Sequence, residues 1–186
     1  MWLRQVHGTA IANLDASYDG FAADGSVTRT PGTVCAVLTA DCLPILLADR
    51  DSGVVAVAHA GWRGLAAGVI EAAVAAMHVE PSSVLAWLGP AIGPRAFEVG
   101  RDVFAAFCDP DPGAAKCFVP CAKMGAKMKW HADLYALARR RLARVGVGAV
   151  YGGERCTLIE SKCFHSYRRD GGVSGRMATL IWIGSQ

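Results

Sequence analysis

Val54-Val55-Ala56-Val57-Ala58-His59-Ala60-Gly61-Trp62-Arg63-Gly64-Leu65 is the stretch from which the architecture is read. Residues 54–58 form a short aliphatic run rich in β-branched valine, which reads as a strand. Its unbroken apolarity predicts a strand covered on both faces. Gly61 and Gly64 then punctuate the chain. From Gly64 to Val79 the residues Leu65, Val69, Ile70, Ala73, Val74 and Met77 recur at helical spacing, which predicts one helix over 64–79, stopped by Pro81. A buried strand turning directly into a helix leaves His59 and Arg63 at the sheet edge. There the free N–H groups and partial positive charge of the helix start suit an anion.

Outward from this unit, Val34 to Thr39 and Ile45 to Ala48 are short aliphatic runs bounded by Pro44 and Gly53, and both read as strands. Val84 to Leu88 is another, closed by Gly89-Pro90. Arg101 to Cys108 reads as a short helix. Residues 109–128 carry Pro110, Pro112, Gly113, Pro120 and Gly125 and predict an irregular surface excursion. Leu134, Leu137, Ala138, Leu142 and Val145 mark one apolar stripe, which predicts a helix from Trp130 to Val145 with Gly146 as its C-terminal cap. Val147 to Tyr151 and Ala178 to Ile183 are the last expected strands. Helices and strands mix without strict strand–helix alternation, so a layered arrangement with mixed sheets is expected, not a Rossmann or TIM pattern.

A chain of 186 residues fits one domain spanning 1–186. Although 53% of residues are hydrophobic, no run approaches the roughly 18 to 20 apolar residues that cross a bilayer. The first residues, Met1-Trp2-Leu3-Arg4-Gln5, contain no apolar signal core. No membrane partner and a cytoplasmic location are therefore expected. A net charge of +3 is too mild and too dispersed for a nucleic-acid reader. The basic run Arg139-Arg140-Arg141 with Arg144 reads as a solvated helix face. Seven cysteines, an odd number without a secretory signal, argue against a disulfide framework. Cys35 reads as core packing. Cys117 and Cys121 have a ligand-like spacing, but no second pair lies near them. Nothing in the composition fixes the oligomeric state.

Three motifs carry the chemistry: Gln5-Val6-His7-Gly8, Thr39-Ala40-Asp41-Cys42 and His59-Ala60-Gly61-Trp62-Arg63-Gly64. His7, Cys42 and His59 supply two imidazoles and a thiol, the ligand set of a zinc site with one position open for catalysis. They are distant in sequence, so only the fold can gather them. Read from residues alone, a metal-free nucleophilic pair, Cys42 with His59, stands beside the metal reading. Asp41, next to Cys42, is the candidate acid, and Arg63 a fixed cation for an anionic substrate. In Phe164-His165-Ser166-Tyr167-Arg168-Arg169-Asp170-Gly171, Arg168 and Arg169 either clamp a phosphate or carboxylate or pair structurally with Asp170. His78 and His131 read as helix residues, at the surface or half-buried.

The wording and order of these segments resemble the YfiH-type family, described both as multicopper polyphenol oxidase (laccase) domain proteins and as purine nucleoside phosphorylase/adenosine deaminase enzymes. The resemblance runs through QVHG at 5–8, TADCLPILLAD at 39–49, AVAHAGWRGL at 56–65, LGPAIGP at 88–94 and FEVG at 97–100. It continues through DLYALARRRL at 133–142, ERCT at 154–157 and FHSYRRDGGVSGRMATLIWI at 164–183. It implies an α+β fold, a layered α-β-β-α sandwich with mixed β-sheets like that of a cysteine-hydrolase toxin domain. It also implies a zinc ion on His7, Cys42 and His59, with phosphorolysis of adenosine, inosine and methylthioadenosine and hydrolytic deamination of adenosine. Nucleoside and phosphate are then the partners. Editing of peptidoglycan precursors by hydrolysis is a related reading.

Copper and polyphenol oxidation rank lower, because a multicopper cluster needs many imidazoles and the chain has five. A zinc-bearing interaction module is the non-enzymatic alternative. Chains of this family continue upstream of QVHG with a pocket-building segment, so the expectation is that this chain lacks it. His165 stands where the family typically carries an aromatic residue.

Overall fold

The computed structural model describes residues 2–16, 22–51, 53–121 and 128–184. Its main sheet has six strands, β1 (Ile11–Asn13), β2 (Gly25–Thr28), β5 (Val55–Ala60), β4 (Leu43–Asp49), β6 (Val84–Leu88) and β10 (Ala149–Gly152), in that spatial order. The outer pairs β1–β2 and β6–β10 are parallel, and the inner pairs are antiparallel. A second sheet pairs β3 (Cys35–Thr39) with β11 (Met177–Ile181), antiparallel. A third joins β7 (Glu98–Val99), β9 (Lys129–Ala132) and β8 (Phe118–Cys121). The helices are α1 (Trp62–Ala67), α2 (Val69–Ala76), α3 (Arg101–Cys108), α4 (Leu134–Arg144) and α5 (Tyr167–Asp170). This is an α+β fold with mixed sheets, and no described helix is long and apolar enough to cross a membrane.

Strand β5 explains the layering. Every residue of it is buried, as its continuous apolarity requires. Ala56, Ala58 and Ala60 join the main core with Ile70, Val74, Leu137 and Leu142 of the helices. Their small side chains admit the helices close to the sheet. On the other face Val57 packs with Cys35, Val37, Leu46 and Ile181 under the β3–β11 ribbon. Side chains alternate along a strand, so His59 shares the ribbon-side face with Val57.

Four expectations are corrected. The helix over 64–79 is two helices, α1 and α2, starting at Trp62 and broken at Gly68, where φ is +104°. The Gly68 N–H closes α1 on the carbonyls of Gly64 and Leu65, a left-handed cap that favours glycine. The helix expected from Trp130 begins at Leu134, because residues 129–132 are strand β9 and Asp133 caps the helix by accepting from the Ala136 N–H. Within the excursion at 109–128, Pro112–Cys117 is a 3₁₀ helix and Phe118–Cys121 is β8; residues 122–127, with Gly125, lie outside the described residues.

The arginines of α4 are only in part a solvated face: Arg144 is exposed, but all four have partners. Arg139 donates to the carbonyls of Val150 and Gly152, Arg141 pairs with Glu71, and Arg140 and Arg144 pair with Asp111. The Arg140 hydrogen bonds hold the Asp111 carboxyl at about 2. Strands β1 and β2 went unforeseen: Ile-Ala-Asn and Gly-Ser-Val-Thr are too short and polar to signal strands.

Candidate functional site

The end of β5 delivers His59, and the register of β4 on β5 pairs Leu43 with Ala60 and Pro44 with His59. Cys42 therefore lies just before β4, beside the Gly61 turn. His7 comes from a segment without regular structure. The three ligating atoms of His7, Cys42 and His59 all lie within 4.8 Å of one another. His7 Nε2 is 3.8 Å from Cys42 Sγ, and the two imidazoles meet edge to face at 4.8 Å between centroids.

A residue that sequence reading missed holds this arrangement. Asp24 is fully buried. Its Oδ2 accepts from the Val6 N–H at 3.1 Å and the Gly8 N–H at 2.6 Å, and its Oδ1 from the His7 N–H at 2.9 Å. His59 Nδ1 donates to the same Oδ1 at 2.8 Å. That bond fixes the tautomer and leaves Nε2 with its lone pair for a metal, the usual carboxylate–histidine–metal relay. Burial alone would raise the Asp24 carboxyl; the bonds from His59 and from the Gly8, Val6 and His7 amides outweigh it and hold it below its ordinary value. His59 is pushed down from its ordinary value chiefly by burial, against the pull of Asp24. Asp24 lies in Ala23-Asp24-Gly25, an ordinary turn signal, and no spacing pattern marks it.

The glycines of His-Ala-Gly-Trp-Arg-Gly have steric reasons. A Cβ on Gly61 would stand 2.8 Å from His7 Cδ2 and 3.0 Å from Cys42 Sγ, and one on Gly64 would stand 2.8 Å from the Gly8 carbonyl. Both glycines let α1 close onto the His7 turn. His7 and Asp41 themselves hold positive φ, 61° and 87°, a strained conformation for non-glycine residues that concentrates at functional sites.

Burial pushes the Cys42 thiol up to about 12, and the Asp41 and Asp24 carboxylates add to the rise. A thiol in that environment is a poor free nucleophile. The soft sulfur and two imidazoles together fit a zinc-class cation, which would convert the thiol to a ligating thiolate.

These donors open on a cavity of about 690 Å3. Asp41, Arg63 and Arg168 line it, as do Arg176 and the aromatic rings of Trp62, Phe97 and Tyr167. Arg63 lies over the Trp62 ring at 4.4 Å and Arg168 over Phe97 at 5.6 Å. Asp41 is a hub: it accepts from Thr157 Oγ1 at 2.6 Å, Ser166 Oγ at 3.0 Å and the Arg168 N–H at 2.6 Å. Arg169 does not line the cavity. It donates to the carbonyls of Thr157, Leu158 and Phe164 and pairs with Asp170, so the two adjacent arginines point to different tasks. Arg176 was missed because Ser174-Gly175-Arg176 reads as a turn before a strand.

A cavity that joins a His/Cys/His donor set, able to hold a metal ion, to several arginines is a candidate metal centre in an α+β protein. The family model for the multi-copper polyphenol oxidoreductase laccase matches residues 1–184, and the chain belongs to that family, the YfiH family. It is 52% identical over 184 residues to the purine nucleoside phosphorylase YfiH of Escherichia coli, covering 98% of this chain and 73% of that relative. A solved Neisseria meningitidis structure superposes with a TM-score of 0.89 at 53% identity, covering 99% of this chain and 74% of its own. The hypothetical protein YfiH of Bacillus licheniformis superposes at 0.85 with 28% identity, covering 98% and 74%.

Proposed function

We propose that this chain phosphorolyses purine nucleosides with a zinc ion held by His7, Cys42 and His59, and that the same site deaminates adenosine by hydrolysis. One observation carries the reading: the three donors lie within 4.8 Å of one another in a cavity that also presents Arg63, Arg168 and Arg176. The names of relatives such as the Escherichia coli phosphorylase support the substrate class. When bound, zinc supplies Lewis-acid activation of a coordinated oxygen.

The chain's own residues supply the rest. Arg63, Arg168 and Arg176 attract phosphate and neutralise it. Trp62, Phe97 and Tyr167 offer flat apolar surface to a purine. In phosphorolysis a phosphate oxygen bonds to C1′ of the ribose. The C1′–N9 bond breaks, and the base leaves with its electron pair. Asp41 is assigned a positioning role, because its oxygens already hold Thr157, Ser166 and the Arg168 amide. Arg169 buttresses the same loop.

The metal-free Cys42–His59 pair is disfavoured by the raised thiol. Polyphenol oxidation is disfavoured by donor count: among the described residues the ligand groupings draw in three of the five imidazoles, in two separate sets. The test is incubation of zinc-loaded protein with adenosine or inosine, with and without phosphate. Free base that appears only with phosphate, inosine formed from adenosine, and loss of both in Cys42→Ser support the reading. Base release no faster than the blank, or full turnover in chelator-stripped protein, overturns it.

A further inference from the structure

We propose that Glu98, Cys121 and His131 form a second metal site, for a zinc-class divalent cation, on the three-stranded sheet β7-β9-β8. His131 sits on the middle strand, paired with Glu98 on one side and with Val119 on the other. Side chains two apart on a strand share a face, so Cys121, diagonal to His131, joins Glu98 and His131 on one surface. Their three ligating atoms lie within 4.8 Å of one another.

The opposite face is where the sheet is anchored. Phe104 of α3 stacks on Trp130 at 4.6 Å and meets Phe118 edge to face at 5.1 Å. On the ligand face all three residues are half-buried, and among the described residues no hydrogen bond or ion pair engages their side chains. Lys129, opposite Cys121, is the one basic side chain that the strand pairing sets on the same surface.

A thiolate with an imidazole selects zinc, cobalt or a similar ion over magnesium and calcium, and the carboxylate completes a three-donor set with one position left for water. The site shares no residue with the His7, Cys42 and His59 centre. It adjoins that cavity, because Phe97 lines the cavity and the Glu98 carbonyl accepts from Arg168 Nη1 at 3.2 Å. A cation tying β7, β9 and β8 together would hold the strand on which that wall and its arginine rest.

The test counts metal on purified full-length protein, stripped with chelator, reloaded with zinc and desalted. Wild type should hold a full second equivalent. Cys42→Ser should keep one equivalent, Cys121→Ser should keep one, and the double variant should keep none. Cobalt added to Cys42→Ser should produce a thiolate-to-cobalt absorption band that is absent from Cys42→Ser/Cys121→Ser. His131→Gln, which leaves the sulfur in place, guards against a folding defect in the cysteine variant and should also lose one equivalent. A single equivalent in wild type, lost with Cys42→Ser and kept in both Cys121→Ser and His131→Gln, overturns the proposal. Because metal content is the readout and each site has its own variants, a failed activity assay leaves this result intact.

Discussion

Replacing Asp24 with Asn should damage both the fold and the metal centre, and the structure sets the size of the effect. An asparagine keeps the shape but has one acceptor oxygen and one donor NH2. With the NH2 at the Oδ2 position, the half-buried amides of Val6 and Gly8 lose their acceptor. With it at the Oδ1 position, the His7 amide loses its acceptor and His59 Nδ1 must become one. That second choice moves the His59 proton to Nε2, the atom needed for ligation. Two donors left stranded against that buried side chain cost about 2 to 6 kcal/mol together. At about 2 to 4 °C per kcal/mol for a chain of this size, Tm should fall by at least about 4 °C. Loss of the oriented histidine should weaken zinc binding by about 10- to 100-fold. Thermal unfolding of metal-free protein and zinc competition against a chromophoric chelator measure the two effects separately. An Asp24→Asn protein that melts within about 1 °C of wild type and binds zinc as tightly would refute the placing of Asp24 beneath both His7 and His59.

Gly61→Ala keeps an ordinary backbone, since φ is −63° and ψ is 157°, yet its Cβ intrudes on His7 and Cys42. Tm should stay within about 3 °C, because the exposed His7 ring can move, while zinc affinity drops at least about 10-fold; unchanged affinity in the chelator competition would count against the geometry. For pH, His59 is depressed in the folded state below its ordinary 6.5. The unfolded chain then takes up the proton first, so metal-free protein should lose stability as pH falls from 6.5 toward the folded value. Urea midpoints across that range should show the loss, and it should be absent in His59→Gln. Arg169→Ala strips three carbonyls of their donor and should lower Tm. Arg168→Ala should chiefly raise KM for phosphate, by about 10-fold or more. Reversed phenotypes would show that the two roles had been exchanged.

The sequence displays what local chemistry writes. Strand β5 announces itself by an unbroken aliphatic run, and the turn after it by two glycines. His7, Cys42 and His59 stand out because few residue types ligate metals, and the YfiH resemblance ties them into one ligand set. What stayed hidden depends on tertiary partners. Asp24 becomes a keystone only once residues 6–8 and β5 enclose it. The break at Gly68 lies inside a pattern that scans as one helix, because apolar periodicity records which face is buried and says little about a left-handed residue. Lys129-Trp130-His131-Ala132 scans as a helix start, yet β7 and β8 on either side claim it as a strand. The division of labour between Arg168 and Arg169 follows from which carbonyls lie within reach, and adjacent letters carry no such information.

Residues 6–8 belong to neither helix nor sheet, and such stretches ordinarily fray. Here their amides turn inward onto one sealed carboxylate. Deuterium should therefore enter Val6, His7 and Gly8 at the slow pace of a central strand. A metal would find the backbone beneath this imidazole already ordered, so only the ring itself is left to settle at capture.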